Sequence, residues 1–313
     1  MATAHDAVLA LLTVAELPHV GERRLQRVQD EARRRHLPLA NLADQPATVL
    51  REAFALPARA IERLCSTRAW HDARCALLAA RLFRHQVRVC PLGDPQYPVG
   101  WARHGDPPPP LAYLHGEPTL LRRPIVALLH SRLVDGSTVS VTARLARAAV
   151  GAGFALAVGG MKTTHRIAAV TARALGAPRI VVLDRGLLAA FGGDLDRDPF
   201  GFGPGRTRFD PTRTLVATPF RCEDHAVPRS GRRRDALVAA VADVVVAVHA
   251  RPDGEVERLG LRALARGQAV AVWQGHNARL VAAGALPLSE DGLGEGLARL
   301  RAAGVRRASA RRR

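Results

Sequence analysis

A turn of two glycines followed by a lysine is the segment of this sequence best suited to hold a phosphate. The stretch GGMKTTHR follows an apolar run and leads into a predicted helix. Glycine lets a backbone approach a phosphate closely, a helix N-terminus offers unpaired N–H groups, and lysine adds a positive charge. The spacing matches neither a Walker A loop nor the G-x-G-x-x-G fingerprint, so nucleotide hydrolysis and dinucleotide binding are not favoured. The candidate contacts here are Gly159, Gly160, Lys162 and Thr163.

Three other turns carry residues of the same kind. One follows the apolar run 124–130, one opens a helix with the letters RSGRRRDAL, and one reads WQGHNARL. Arginines beside the free N–H groups of a helix start invite a phosphate, although a solvated basic helix end has the same composition. These turns add Ser131, Arg132, Arg232, Arg233, Arg234, Asn277 and Arg279 to the candidate contacts.

Metal-binding and catalytic patterns are weak. Cys222 and His225 lack a second pair of ligands. The three aspartates of 194–198 have the spacing of a calcium loop, but Pro199 stands where the turn needs glycine and no glutamate occupies the twelfth position. No G-x-S-x-G motif supplies a nucleophile. We therefore expect no metal, no cofactor and no enzymatic activity.

The overall charge points to a polyanionic partner. The 313 residues include 46 basic and 28 acidic ones, a net charge of +18. Such an excess attracts nucleic acid. Lys162 is the only lysine, which is typical of a GC-rich genome, but this bias does not account for the shortage of acidic residues.

The composition also indicates a compartment. Hydrophobic residues make up 48% and charged residues 24%, as in soluble globular proteins. Four cysteines without a CxxC pair favour reduced thiols. The first residues resemble neither a signal peptide nor a membrane span, so we expect a cytoplasmic protein without a membrane partner.

Residues 1–85 are predicted to form a small helical domain of the helix-hairpin-helix or SAM-like type. Its first turn lies in LPHVGERRLQRV, residues 17–28, between two helical patterns. Gly21, Arg23 and Arg24 could contact a phosphate backbone there, and a packing corner is an equally good interpretation.

Residues 86–288 alternate apolar runs with amphipathic stretches. This alternation predicts an α/β fold, a doubly wound, Rossmann-like and mostly parallel sheet, whose ligands lie at the carboxyl ends of the strands. The Pro-rich segment 93–116 is predicted to be neither helix nor central strand. Residues 289–313 are predicted to be a short amphipathic piece that ends in a basic, disordered tail, VRRASARRR. The strands are expected at 87–92, 124–130, 154–160, 179–184, 214–220, 243–250 and 268–275.

In the order of these motifs the chain resembles the DNA-processing protein A (DprA, or Smf) family over roughly residues 8 to 288. VALLHSR is similar to the family's vaiVGsR, and GRRRDALVAAV is similar to its RNRiiagLs. His130 stands where the family has glycine, and Arg233 stands where it has asparagine. The positions carried over from the family motifs are Ser131, Arg132, Gly160, Arg232, Arg234 and Asn277.

The resemblance implies a non-enzymatic protein that binds and protects single-stranded DNA. Such a protein forms a homodimer through its Rossmann-like domain and loads a RecA-type recombinase during transformation or repair. The altered GGMKTTH turn leaves a second hypothesis open, a nucleotide-binding Rossmann sensor or antitoxin-like component of a defence system. A protein-interaction scaffold is the third.

Overall fold

The chain forms two compact units in a computed structural model that describes residues 4–105, 107–131, 136–160, 162–200, 207–275 and 277–310. The first unit comprises Met1–Asp94 with Pro109–Tyr113, and the second comprises Pro95–Pro108 with Leu114–Arg313. The expected boundary at 85/86 therefore differs from the structural division, because the short strand after the helices and the segment Pro109–Tyr113 lie with the first unit.

The first unit is a cluster of helices. His71 ties two of them together, since its Nε2 lies 2.8 Å from the carbonyl oxygen of Thr13. Leu12, Leu17 and Val28 are fully buried, as the amphipathic pattern predicts. The elements are α1 (Ala4–Ala15), α2 (Glu22–Arg34), a 3-10 helix (Leu39–Asp44), α3 (Ala47–Glu52), α4 (Ala58–Cys65), α5 (Arg68–Arg84) and β1 (Arg88–Pro91).

The second unit contains seven neighbouring parallel strands of a nine-stranded sheet among the described residues, and the expected α/β, Rossmann-like, mostly parallel fold is confirmed. Their order is β6-β5-β4-β3-β7-β8-β9, with every neighbouring pair parallel. Continuous Val, Ile, Leu and Ala runs form these strands because both faces are buried. The strands are β3 (Ile125–His130), β4 (Ala155–Gly159), β5 (Arg179–Val182), β6 (Thr214–Thr218), β7 (Val244–His249), β8 (Ala269–Trp273) and β9 (Leu286–Leu288).

The helices of the second unit connect and cover these strands. A 3-10 helix, Pro118–Arg122, leads into β3. The α-helices are α6 (Val99–His104), α7 (Gly136–Gly151), α8 (Thr163–Ala174), α9 (Leu187–Ala190), α10 (Ser230–Val241), α11 (Glu255–Ala265), α12 (Ala278–Ala282) and α13 (Leu293–Ala310).

Two sequence-based expectations are corrected by these elements. The Pro-rich segment contains both helix α6 and a strand, β2 (Leu111–Gly116). Pro98 lies at the N-cap of α6, a position that needs no N–H donor, so proline does not prevent the helix. The expected tail contains α13, which packs against α7, β7 and β8 and buries Leu297 and Leu300.

The sheet reverses its winding direction between β3 and β7. From β3 the chain proceeds through β4, β5 and β6 on one side, and then returns to place β7, β8 and β9 on the other. The loops leaving the carboxyl ends of β3 and β7 therefore separate, which opens a crevice where such folds bind ligands.

No helix within the described ranges is long and apolar enough to cross a membrane. Among those same residues, no group of three or more His, Cys, Asp or Glu side chains is arranged to hold a metal ion. All four cysteines are free thiols, and Cys65 is exposed.

Candidate functional site

A cavity of about 310 Å³ lies at the crevice between the carboxyl ends of β3 and β7. Ser131 joins the two strand ends, since its N–H donates to the carbonyl of His249 at 2.8 Å and its Oγ accepts from the N–H of Arg251 at 2.8 Å. The residues that line the cavity include His130, Ser131, Lys162, Arg232, Arg234, Asp235, His249, Arg251, Asp253 and Arg258. Half of these ten are lysine or arginine.

Three helices begin beside this cavity. Lys162 is the N-cap of α8, Gly231 and Arg232 belong to the first turn of α10, and Gly254 is the N-cap of α11. Each helix N-terminus carries a partial positive charge and N–H groups without helical partners. The arrangement favours an anion.

Arg234 is enclosed by two carboxylates below the cavity. Its Nη1 donates to Oδ2 of Asp184 at 2.7 Å, and its Nε and Nη2 donate to Oδ1 of Asp235 at 3.0 and 2.9 Å. Arg234 is only 3% exposed. Its positive charge is therefore already balanced, and a phosphate would have to displace a carboxylate to bind it directly.

Lys162 is held by the carboxylate of Asp235, which also binds Arg234. Its Nζ donates to Oδ2 of Asp235, while its side chain keeps partial exposure to the cavity. Burial acts to raise the pKa of Asp235, but the hydrogen bond from His165 and the charges of Arg234 and Lys162 outweigh it and hold that pKa far below its usual range. Asp235 therefore stays ionised and positions both cations.

Two buried histidines stand beside Asp235 and are neutral. Their ring centroids lie 6.4 Å apart, and Nε2 of His165 is 3.5 Å from Oδ1 of Asp235. Burial lowers the pKa of His130 to about 4 and also lowers the pKa of His165. Nδ1 of His130 lies 2.6 Å from the carbonyl oxygen of Ser131, so this nitrogen carries the proton and Nε2 is an acceptor. That Nε2 is buried without a hydrogen-bond partner among the described residues.

Gly159 makes room for the buried guanidinium. A Cβ at this position would lie 2.5 Å from Cδ and 2.6 Å from Nε of Arg234. A Cβ at Gly160 would meet only Asp184, at 3.9 Å. The first glycine of the turn therefore serves the packing of Arg234.

Arg232 and Arg251 are the cavity arginines whose charges are not balanced. Both are exposed, and neither guanidinium forms an ion pair or hydrogen bond with another described residue. Arg258, by contrast, lies 3.4 Å from Glu255. The unbalanced positive charge thus lies at the mouth of the cavity and not at its floor.

The other expected contacts lie outside the cavity lining. Arg233 donates to the carbonyl of Pro107 at 2.7 Å, and Thr163 is exposed in the first turn of α8. Asn277 accepts from the N–H of Ala250 at 2.6 Å and thereby ties the loop after β8 to the end of β7.

Four of the remaining expected contacts can be described and one cannot. Arg279 pairs with Asp253 at 2.9 Å and with Glu257 at 3.3 Å. Arg132 lies outside the described residues. At the hairpin, Gly21 is the N-cap of α2, Arg23 is exposed, and Arg24 donates to the carbonyl of His19 at 2.8 Å.

Several site residues were missed by the sequence reasoning. Asp184 and Asp235 neutralise the floor, and Arg251 supplies charge at the mouth. Asp184 is the last residue of the predicted strand 179–184, and Arg251 directly follows the predicted strand 243–250, so each position was a usable signal. Asp235 lies inside the segment RSGRRRDAL, which was interpreted from its arginines alone.

A doubly wound parallel sheet with a basic cavity at its point of reversal defines a Rossmann-like protein. The family model described as DNA recombination-mediator protein A matches residues 88–295. The chain belongs to this family, and the expected membership is confirmed. No curated protein matches the sequence.

Solved structures are similar to this chain, and the first of them shows its fold. DNA processing protein A from Streptococcus pneumoniae superimposes with a TM-score of 0.63 at 15% identity, covering 95% of this chain and 97% of that one. DNA processing protein A from Helicobacter pylori, studied for its single-stranded DNA binding mode, has a TM-score of 0.49 at 18% identity, covering 69% and 95%. The molybdenum cofactor carrier protein of Chlamydomonas reinhardtii has a TM-score of 0.39 at 18% identity, covering 57% and 99%.

Proposed function

We propose that this protein binds single-stranded DNA at the mouth of the cavity between β3 and β7, as a non-enzymatic recombination mediator. The observation that carries the proposal is the pair of unbalanced guanidinium groups, Arg232 and Arg251, beside the N-termini of α10 and α11. Membership of the recombination-mediator family and the net charge of +18 support it. Protection of the strand and its transfer to a RecA-type recombinase in the cytoplasm, by a homodimer, belong to the same proposal.

The residues divide into contacting and positioning roles. Arg232 and Arg251 bind phosphates. Lys162 adds a further hydrogen-bond donor, and its ammonium group is positioned by the carboxylate of Asp235. Arg234 fixes the loop ends through its two carboxylates and does not itself contact DNA. Because phosphates are the groups contacted, binding is independent of base sequence.

Fluorescence anisotropy with labelled oligo-dT tests this division. The double variant R232A/R251A should weaken binding at least about tenfold, and equally for oligo-dA, because it removes two charge-assisted contacts. The matched control is R122A/R123A. It removes the same charge from exposed residues just before β3, at the amino ends of the strands, away from the cavity at their carboxyl ends. Equal losses in the two double variants would refute a specific site, and no binding by the wild type would refute the function.

A second candidate function is the binding of a free mononucleotide. The cavity volume of about 310 Å³ and the acceptor Nε2 of His130, which has no partner among the described residues, favour it, since a base or sugar offers donors that a phosphate lacks. Thermal-shift measurement with mononucleotides separates the candidates, because a specific ligand raises Tm by mass action. A shift with one mononucleotide, alongside no oligo-dT binding, would favour this second candidate.

A further inference from the structure

Helix α5 of the first unit presents the three most exposed large apolar side chains of the described residues. Trp70 is 58% exposed, Leu77 is 74% exposed and Phe83 is 76% exposed. Other aromatic side chains, such as Trp101 and Tyr113, are fully buried. In a chain with 4% aromatic residues, a tryptophan ring that is 58% exposed on a helix needs an explanation.

The charges beside these rings are guanidinium groups. Cζ of Arg63 lies 4.5 Å from the centroid of the Trp70 ring, so a cation covers one face of the indole. Arg84, at the end of α5, is exposed and forms no ion pair with another described residue. The acidic residue of this helix, Asp72, pairs with Arg68 at 3.4 Å. Trp70, Leu77 and Arg84 are seven residues apart and therefore lie on one face of α5, its outer face, which is aromatic, apolar and positively charged.

The aromatic ring and the positive charge of this face favour one kind of binding partner over others. A second copy would bring arginines against arginines, which is unfavourable. A duplex keeps the faces of its bases stacked and hidden, whereas a single strand offers both bases for stacking and phosphates for guanidinium groups. We propose that the outer face of α5, with Trp70 as its stacking platform, is a second contact surface for single-stranded DNA. This rests on the proposed function, that the protein binds such strands.

Tryptophan fluorescence reads this contact directly. Trp101 is fully buried, and its Nε1 donates to the carbonyl of Leu237 at 3.0 Å. Trp273 is partly exposed, with Cζ of Arg144 lying 5.8 Å from its ring centroid. Titration of the full-length wild type with oligo-dT should quench its emission, and W70F should lose most of that quenching. Quenching that is absent in the wild type at saturating oligo-dT, or unchanged in W70F, would overturn the proposal.

Affinity separates stacking from apolar docking. W70A and W70L should each weaken oligo-dT binding roughly fivefold or more, while W70F stays within about twofold of the wild type, because stacking needs a π-face. W70L keeps apolar area, so it is the matched control for a protein-docking surface. L175A, at a half-exposed residue that caps α8, controls for loss of a surface leucine.

The outcomes are distinguishable from failure of the proposed function. A wild type without oligo-dT binding would refute both proposals. A wild type that binds, together with unchanged affinity in W70A and W70L, would overturn only the contact on α5 and leave this face to a protein partner.

Discussion

Asp235→Asn should destabilise the fold strongly, although it changes a single charged group. The carboxylate accepts from Arg234 and Lys162 and is almost fully buried. The pKa of Asp235 is lowered in the folded state, so its stabilising contribution is present above the carboxyl's unfolded pKa. It is lost only as pH falls toward the folded value. At pH 7 the variant therefore removes the whole contribution.

The magnitude follows from what remains around Arg234. Removing one partner of a buried ion pair costs about 3–5 kcal/mol. Asp184 still accepts from Arg234 at 2.7 Å, and asparagine keeps one oxygen acceptor. We therefore expect the lower end of that range, about 3 kcal/mol.

Urea unfolding followed by circular dichroism measures the loss. The matched control is Asp253→Asn, because Asp253 also pairs with an arginine but its side chain is 86% exposed. An exposed pair contributes only about 0–1 kcal/mol. If both variants shift the unfolding midpoint equally, the account of Asp235 as the buried hub of the site is refuted.

Two further predictions concern the same cluster. Gly159→Ala should cost about 1–3 kcal/mol in unfolding free energy because its Cβ would overlap Arg234. Gly136→Ala, where a Cβ meets nothing within 4 Å, should cost almost nothing in the same denaturation series. The pKa of His130 is lowered to about 4, so the unfolded state binds the extra proton and stability should decline as pH falls from about 6.5 toward 4. Thermal denaturation across this range should show a flatter decline for His130→Gln, and a slope equal to the wild type's would contradict the assignment.

The fold was largely predictable because strands buried on both faces leave continuous apolar runs in the sequence. The six parallel strands β3 to β8 were predicted within about two residues at each end. Helix α13 was predicted only as a short amphipathic piece with a basic tail, because the burial of its Leu297 and Leu300 depends on α7 and the sheet.

The grouping of some candidate residues was predictable, but their charge balance was not. Parallel strands end at one edge, so Lys162 and Arg234 were expected together, and both line or underlie one cavity. Whether a cation is free depends on the carboxylates that fold against it. Asp184 lies fifty residues from Arg234 in the chain, so no local sequence pattern predicts that ion pair.

The salt dependence of oligo-dT affinity tests the central claim most directly. Each phosphate contact to a single strand contributes a slope of about 0.7 to the fall of log K with log salt concentration. R232A/R251A should therefore flatten the slope by about 1.4, while R122A/R123A leaves it unchanged. A slope for R232A/R251A equal to that of the wild type would contradict the assignment of the mouth of the cavity as the DNA-binding site.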